Sequence, residues 1–145
     1  MTKATPQRKD YIYFHTMTSR WRDNDVYAHV NNAVFYEYVD TVVNHWLIVE
    51  AGLSVPATDM IGLVVRSECD FFGPLAFPGS VEGGLAVARI GTSSVTYDVG
   101  LFAQNEGEAA ARAAFTHVYV DAVSRRPQPL PDWLRAKLET LIPAT

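Results

Sequence analysis

The sequence predicts a two-layer α+β domain in which one long apolar helix lies against one antiparallel sheet. Three observations predict it. A single long stretch of helical period occupies the first third of the chain, four stretches of strand character follow it, and short turns join the last of these strands. Short turns favour antiparallel pairing of consecutive strands.

Each element follows from its residues. Residues 1–10 are charged, contain proline and are expected to form a flexible lead-in to one domain spanning residues 11–145. Residues 11–21 are rich in aromatics, Thr and Ser, which suits a strand with Tyr11, Tyr13, His15, Met17 and Ser19 on one face. The turn formers Arg22-Asp23-Asn24-Asp25 interrupt it. From residue 32 to 51 the period changes. Phe35, Tyr38, Val39, Val42, Val43, Trp46 and Leu47 recur at helical spacing, Asn31 or Asn32 can cap the start, and Gly52 stands where a left-handed cap would end it. Val34 and Ile48 widen its apolar surface, so this helix should be wrapped rather than laid on a surface.

Strands follow over residues 63–72, 81–90, 94–104 and 109–121. In the first, Arg66, Glu68 and Asp70 share one face and Val65, Ser67, Cys69 and Phe71 the other. In the third, Val95, Tyr97, Val99, Leu101 and Ala103 share one side. Gly91-Thr92-Ser93 and Asn105-Glu106-Gly107 are the intervening turns. A stiff basic loop with Arg125, Arg126, Pro127, Pro129 and Pro131 leads into a short amphipathic helix over residues 133–142.

Composition narrows the function classes. The 145 residues fit one domain, 48% are hydrophobic, 19% are charged, and the net charge is -4. A mildly acidic chain has no bulk attraction for nucleic acid or anionic lipid. No apolar run approaches the roughly 20 residues that span a bilayer, so no membrane insertion is expected. Residues 1–10 carry no apolar signal core, and the single cysteine, Cys69, allows no internal disulfide; both fit a cytoplasmic setting.

The chemistry-bearing constellation lies between the first strand and the long helix. Asp25 stands a few residues upstream of a helix N-terminus, whose free N–H groups and positive dipole end suit a developing oxyanion. A carboxylate there can attack a carbonyl or activate water. Spacing alone also allows Asp25 to be a turn residue or helix-entry cap. Asp23 reads as a solvated turn residue, His29 as a substrate-orienting or turn-building group, Asn31 as a cap or loop organiser, and Glu37 as the second-choice carboxylate. His15, His45 and His117 lack metal-ligand spacing, so no metal site is expected, and Cys69 reads as a core thiol. Ser94 lacks the Gly-x-Ser-x-Gly elbow of serine hydrolases.

The run Arg22-Asp23-Asn24-Asp25-Val26-Tyr27-Ala28-His29-Val30-Asn31-Asn32, continuing into Phe35-Tyr36-Glu37-Tyr38, resembles the hallmark of the 4-hydroxybenzoyl-CoA thioesterase-like family. Arg89-Ile90-Gly91-Thr92-Ser93-Ser94-Val95 and the stretch from Val118-Tyr119-Val120-Asp121 through Arg126-Pro127 to Leu130-Pro131 are similar to two further segments of that family. The resemblance implies a hotdog fold, with a long central helix wrapped by a curved five-stranded antiparallel sheet. It implies hydrolysis of an acyl thioester of coenzyme A or acyl carrier protein, at sites on the interface of a homodimer with a continuous sheet, often paired into tetramers. Within it Asp25 maps to the catalytic carboxylate and the backbone amide of Asn32 to the group that polarises the carbonyl. No cofactor is implied, coenzyme A being part of the substrate. Its phosphates call for basic groups, for which Arg89, Arg125 and Arg126 are candidates, and Ser94 is a candidate for the pantetheine arm. The chain departs from the family where many members carry glycine and it has Tyr27 and Ala28. Two other functions remain open on the sequence: a hotdog hydratase or dehydratase sharing proton work between Asp25 and His29, and a non-enzymatic acyl-CoA-binding protein.

Overall fold

The structure is a computed structural model describing residues 4–54 and 59–144. Its elements in chain order are β1 (Tyr13–Thr18), a 3-10 turn (Trp21–Asp23), α1 (Asn32–His45), β2 (Met60–Phe71), β3 (Ser80–Ile90), β4 (Ser94–Ala103), β5 (Ala111–Asp121) and α2 (Asp132–Glu139). The five strands form one sheet in the order β1-β3-β4-β5-β2, and every neighbouring pair is antiparallel. β3, β4 and β5 are a meander joined by short turns, while β1 and β2 dock on its two edges.

α1 is the axis of the core. Asn31 caps it by accepting the Ala33 amide on Oδ1 at 2.9 Å. The helix runs on through a wider π turn at Trp46–Glu50 and ends before Gly52, whose φ of 82° is left-handed, so the continuous element matches the predicted span. It packs against β1, β3, β4 and β5. Val39, Val42 and Val43 are fully buried, and each contributes roughly 1.5–3 kcal/mol by leaving water. The sheet surface meeting them is built by Val81, Leu85 and Val87 of β3, Val95, Tyr97, Val99 and Leu101 of β4, and Phe115 and Tyr119 of β5. At Gly83 a Cβ would lie 2.1 Å from a methyl of Val42, so only glycine lets α1 settle this close to β3.

Two strand expectations are corrected. β1 begins at Tyr13, so Tyr11 does not share a face with Tyr13 and Met17. It lies over the far side of the sheet, where its ring crosses Gly84 and Gly100 and joins Ala86, Phe102 and Ala109 in a second, smaller core. In β2 the register shifts between Val64 and Arg66, leaving Val65 as an unpaired bulge, more than half exposed, so the alternation expected from Val65 to Phe71 is broken at its start. Residues 6–10 of the predicted lead-in are bonded to the sheet. Pro6 accepts the Ala109 amide at 2.9 Å, and the Arg8 guanidinium meets Glu82 at 2.7 Å and lies 4.9 Å from the Phe102 ring centre.

Among the described residues β2 has a strand neighbour on one side only. Its twelve residues form a long sheet edge that carries both exposed apolar side chains, Leu63, Val64, Val65 and Phe71, and the exposed Arg66–Glu68 ion pair.

Candidate active site

The connection from β1 to α1 is a short, tightly pinned loop. Asn24 and Val30 bridge each other, and the Asp25 amide donates to the His29 carbonyl at 2.8 Å. The loop is also tied outward. Asn24 donates from Nδ2 to the Phe77 carbonyl and accepts the Phe77 amide on Oδ1 at 3.0 Å, while the Val30 amide donates to the Leu75 carbonyl at 2.7 Å. Ala28 closes the loop with a φ of 65°, the left-handed conformation that glycine adopts without cost.

Asp25 stands at the start of this loop, half-buried, on an open cleft of about 520 Å³ bordered by Trp21, Arg22, Asn24, Val26 and Ala28. Its Oδ1 accepts the Tyr27 amide at 2.8 Å and the His29 amide at 3.4 Å. Oδ2 has no donor within the described residues, so the loop's backbone holds the carboxylate through one oxygen only. Trp21, Val26 and Tyr27 are strongly exposed around it and give the mouth an apolar rim.

The helix end lies next to this loop. The Asn31 amide donates to the Asp23 carbonyl at 2.8 Å, which sets the start of α1 beside the start of the loop. Asn31 engages the Ala33 amide with its side chain and the Val34 amide with its carbonyl, whereas the Asn32 amide has no acceptor within the described residues. Asn32 therefore offers an unengaged N–H at the positive end of the helix. Asn31 is the cap that the sequence suggests. The His29 side chain is exposed, and its recorded bonds to Asp25 are made by its backbone.

Asp23 corrects the sequence reading. It is 1% exposed, not a solvated turn residue. Its Oδ2 accepts the Tyr38 hydroxyl at 2.6 Å and the Arg20 amide at 2.9 Å, and its Oδ1 takes the Arg20 guanidinium at 2.8 Å and 3.1 Å. Burial acts to raise the Asp23 pKa, but the bonds from Tyr38 and Arg20 outweigh it and hold the carboxyl below the usual range. Tyr38 moves oppositely: burial first, and then the adjacent carboxylate, push its hydroxyl far up, so it remains a donor. Arg20 also reaches Glu37 at 3.1 Å, which places the second-choice carboxylate in an exposed ion pair. Spacing from Asp23 to Tyr38 gave no sign of this contact; the one available signal was an aspartate two residues before Asp25 in a loop with few other anchors.

The predicted substrate-binding residues do not join Asp25 within one chain. Ser94 starts β4 opposite Val118, and Arg89 pairs with Thr96 nearby. The loop of Arg125 and Arg126 folds back on the end of β5, where the Asp121 amide donates to the Arg126 carbonyl. The head of α1 lies over the other end of the sheet, where the Phe35 ring meets that of Phe71, in register with Ala111 and Leu101. Seven residues separate Ser94 from Leu101, about 23 Å along a strand. At the Ser94 end, Arg135 escaped the sequence reading: its guanidinium donates to the Gly91 carbonyl at 2.9 Å and braces the β3–β4 turn. Cys69 packs against the core, and burial raises its pKa to about 11, an unreactive thiol. Among the described residues no three His, Cys, Asp or Glu side chains cluster as metal ligands, and no helix is long and apolar enough to cross a membrane.

A sheet wrapped on a long helix, with a carboxylate loop clamped at the helix head, defines the class: this is a hotdog domain. The Thioesterase-like superfamily matches residues 19–138, and the chain belongs to it. A crystal structure of the PA5185 protein from Pseudomonas aeruginosa superposes with a TM-score of 0.94 at 45% identity, covering 98% of this chain and 99% of that one. A thioesterase superfamily structure from Jannaschia sp. CCS1 gives a TM-score of 0.84 at 26% identity, covering 99% and 100%. Among curated proteins, a 1,4-dihydroxy-2-naphthoyl-CoA hydrolase of Gloeothece citriformis is 35% identical over 82 residues. That match covers 53% of this chain and 57% of the relative, so the chain spans just over half the length of the curated protein it resembles.

Proposed function

We propose that the chain is an acyl-CoA thioesterase, hydrolysing an acyl thioester to free acid and coenzyme A. Asp25 serves as nucleophile or general base, and the Asn32 amide polarises the thioester carbonyl. The observation that carries this reading is the cleft-lining Asp25 carboxylate, held through Oδ1 with no donor on Oδ2 among the described residues, beside a helix head with an unengaged amide. An attacking or water-activating oxygen and an oxyanion donor are the two groups that thioester hydrolysis requires. Family membership and the activity for which the Gloeothece relative is named support the same chemistry. The exposed backbone-only engagement of His29 does not favour a hydratase pairing with Asp25. The single cysteine fits a cytoplasmic setting.

The working unit in this reading is at least a homodimer. A two-fold axis across the β2 edge would pair two β2 strands antiparallel and extend the sheet. It would also carry the Met60 end of one copy toward the Phe71 end of the other. The basic Arg89, Arg125 and Arg126 end of a partner would thus approach the Asp25 end of this chain, shortening a separation that one chain cannot close. Those arginines are the proposed contacts of the coenzyme A phosphates, and the long edge strand, with Leu63, Val64, Val65 and Phe71 exposed, favours such pairing.

Two measurements test these statements. Purified protein is expected to release free thiol from at least one member of a panel of short, medium, long and aromatic acyl-CoAs and one acyl-carrier-protein substrate, without added metal. Tight binding across the panel with no turnover would replace the enzyme with an acyl-CoA-binding protein. Light scattering at micromolar concentration is expected to give a dimer or tetramer mass, and a monomer would contradict the shared site.

A further inference from the structure

We infer that Asp23, Tyr38 and Arg20 form a positioning unit that fixes Asp25 relative to the head of α1. The inference rests on the catalytic reading of Asp25. It starts from what Asp23 joins. Its carboxylate binds Arg20, at the end of the β1 segment, and Tyr38, on the second turn of α1. Its carbonyl accepts the Asn31 amide, the cap residue of the same helix. One residue thus holds the incoming strand, the helix body and the helix cap, two positions before Asp25.

The burial gives the unit its stiffness. A nearly inaccessible carboxylate with four donors in contact has no alternative partner to turn to, and water cannot substitute. Beyond it, Asn24 is fixed to the Phe77 backbone and Val30 to Leu75. The Asp25 loop therefore hangs from a mount whose deepest bond is the Tyr38 hydroxyl. The contact at 2.6 Å is in the range of a charge-assisted hydrogen bond. Loss of that hydroxyl keeps the ring but takes a donor from the buried carboxylate, which lets the carboxylate and the loop stem relax.

Small misplacements of a reacting group are costly to rate, with about 1 Å worth roughly a hundredfold. Tyr38→Phe is expected to lower kcat about tenfold, within that bound, with the acyl-CoA KM changed less than about twofold. The discriminating measurement is a cycle with Asp25→Asn. If Tyr38 acts through Asp25, Tyr38→Phe has little further effect on the residual rate of Asp25→Asn. An equal fractional loss in both backgrounds, or an unchanged kcat in Tyr38→Phe alone, would overturn the inference. Should Tyr38→Phe fail to fold, Arg20→Gln, at the exposed side of the same carboxylate, is read by the same cycle. If the wild type turns over and Asp25→Asn does too, the catalytic reading has failed and the positioning role falls with it. If Asp25→Asn is impaired and only the cycle is additive, the positioning role alone is lost.

Discussion

Asp25→Asn is expected to lower kcat by roughly 100-fold or more, the scale of losing a general base, while KM and thermal stability stay near their wild-type values. The structure explains why this substitution separates chemistry from architecture. The bonds that shape the loop reach Oδ1 from the Tyr27 and His29 amides. An asparagine keeps that acceptor in the same place, so a merely turn-forming Asp25 would be replaced almost without effect. What asparagine removes is the negative charge and nucleophilic character of the carboxylate. Steady-state kinetics on the best panel substrate, with circular dichroism as the folding check, reads the outcome. Glu37→Gln is the companion measurement, because Glu37 is the other carboxylate near the helix head and is already engaged by Arg20. Near-normal kcat in Asp25→Asn with a large loss in Glu37→Gln would move the catalytic role to the helix. Asp23→Asn is no neutral control here, since it would strip a buried charge from its bonds to Arg20 and Tyr38.

Acid sensitivity is the second large effect. His117 is 3% exposed and faces the core among Tyr97, Phe115 and Tyr119, with Nδ1 lacking a partner among the described residues. Burial lowers its pKa from 6.5 to about 4. Above pH 6.5 the residue is neutral in folded and unfolded chains and has no effect on their balance. Between pH 6.5 and 4 the unfolded chain binds a proton that the folded chain refuses, so stability falls as pH falls. Below about 4 the folded chain binds it as well and the loss levels off near 3 kcal/mol. Urea midpoints from pH 7 to 4.5 are expected to decline across this window, and His117→Phe is expected to flatten the decline. His15 adds a smaller slope of the same sign, its pKa being lowered by burial and by the stacked ring of His45. Direct observation of the His117 ring titrating near 6.5 in the folded protein would refute the account.

Legibility in the sequence followed the range of the interactions involved. The period of α1 and the alternation of Val95, Tyr97, Val99 and Leu101 are local, repeated signals, and the helix and β4 stand where they predict. The Asn31 cap is equally local, since donor and acceptor lie two residues apart. For Asp25, spacing ahead of the helix start left a turn or cap residue open as well, and the family resemblance is what made it the candidate carboxylate. Asp23 could not be read correctly, because its burial depends on Tyr38, fifteen positions away on an element whose rotation no local pattern specifies. Tyr11 was assigned to the wrong face because the strand begins only at Tyr13, so its alternation does not extend back to residue 11, and the glycines that receive the Tyr11 ring lie in β3 and β4. The bulge at Val65 is likewise a property of the pairing with β5 rather than of β2 alone.

Ala28 gives this loop a quality that matters for engineering. A left-handed alanine carries about 1 kcal/mol of backbone strain, and glycine at the same position would remove it. Glycine would also loosen the unfolded chain by a comparable amount, about 0.4–1 kcal/mol. The two contributions oppose each other, so exchange at position 28 leaves the folding equilibrium nearly unmoved. What changes is the breadth of the conformational well in which the Asp25 loop sits. Position 28 is therefore a tuning point where the stiffness of the loop can be varied almost independently of the stability of the protein that carries it.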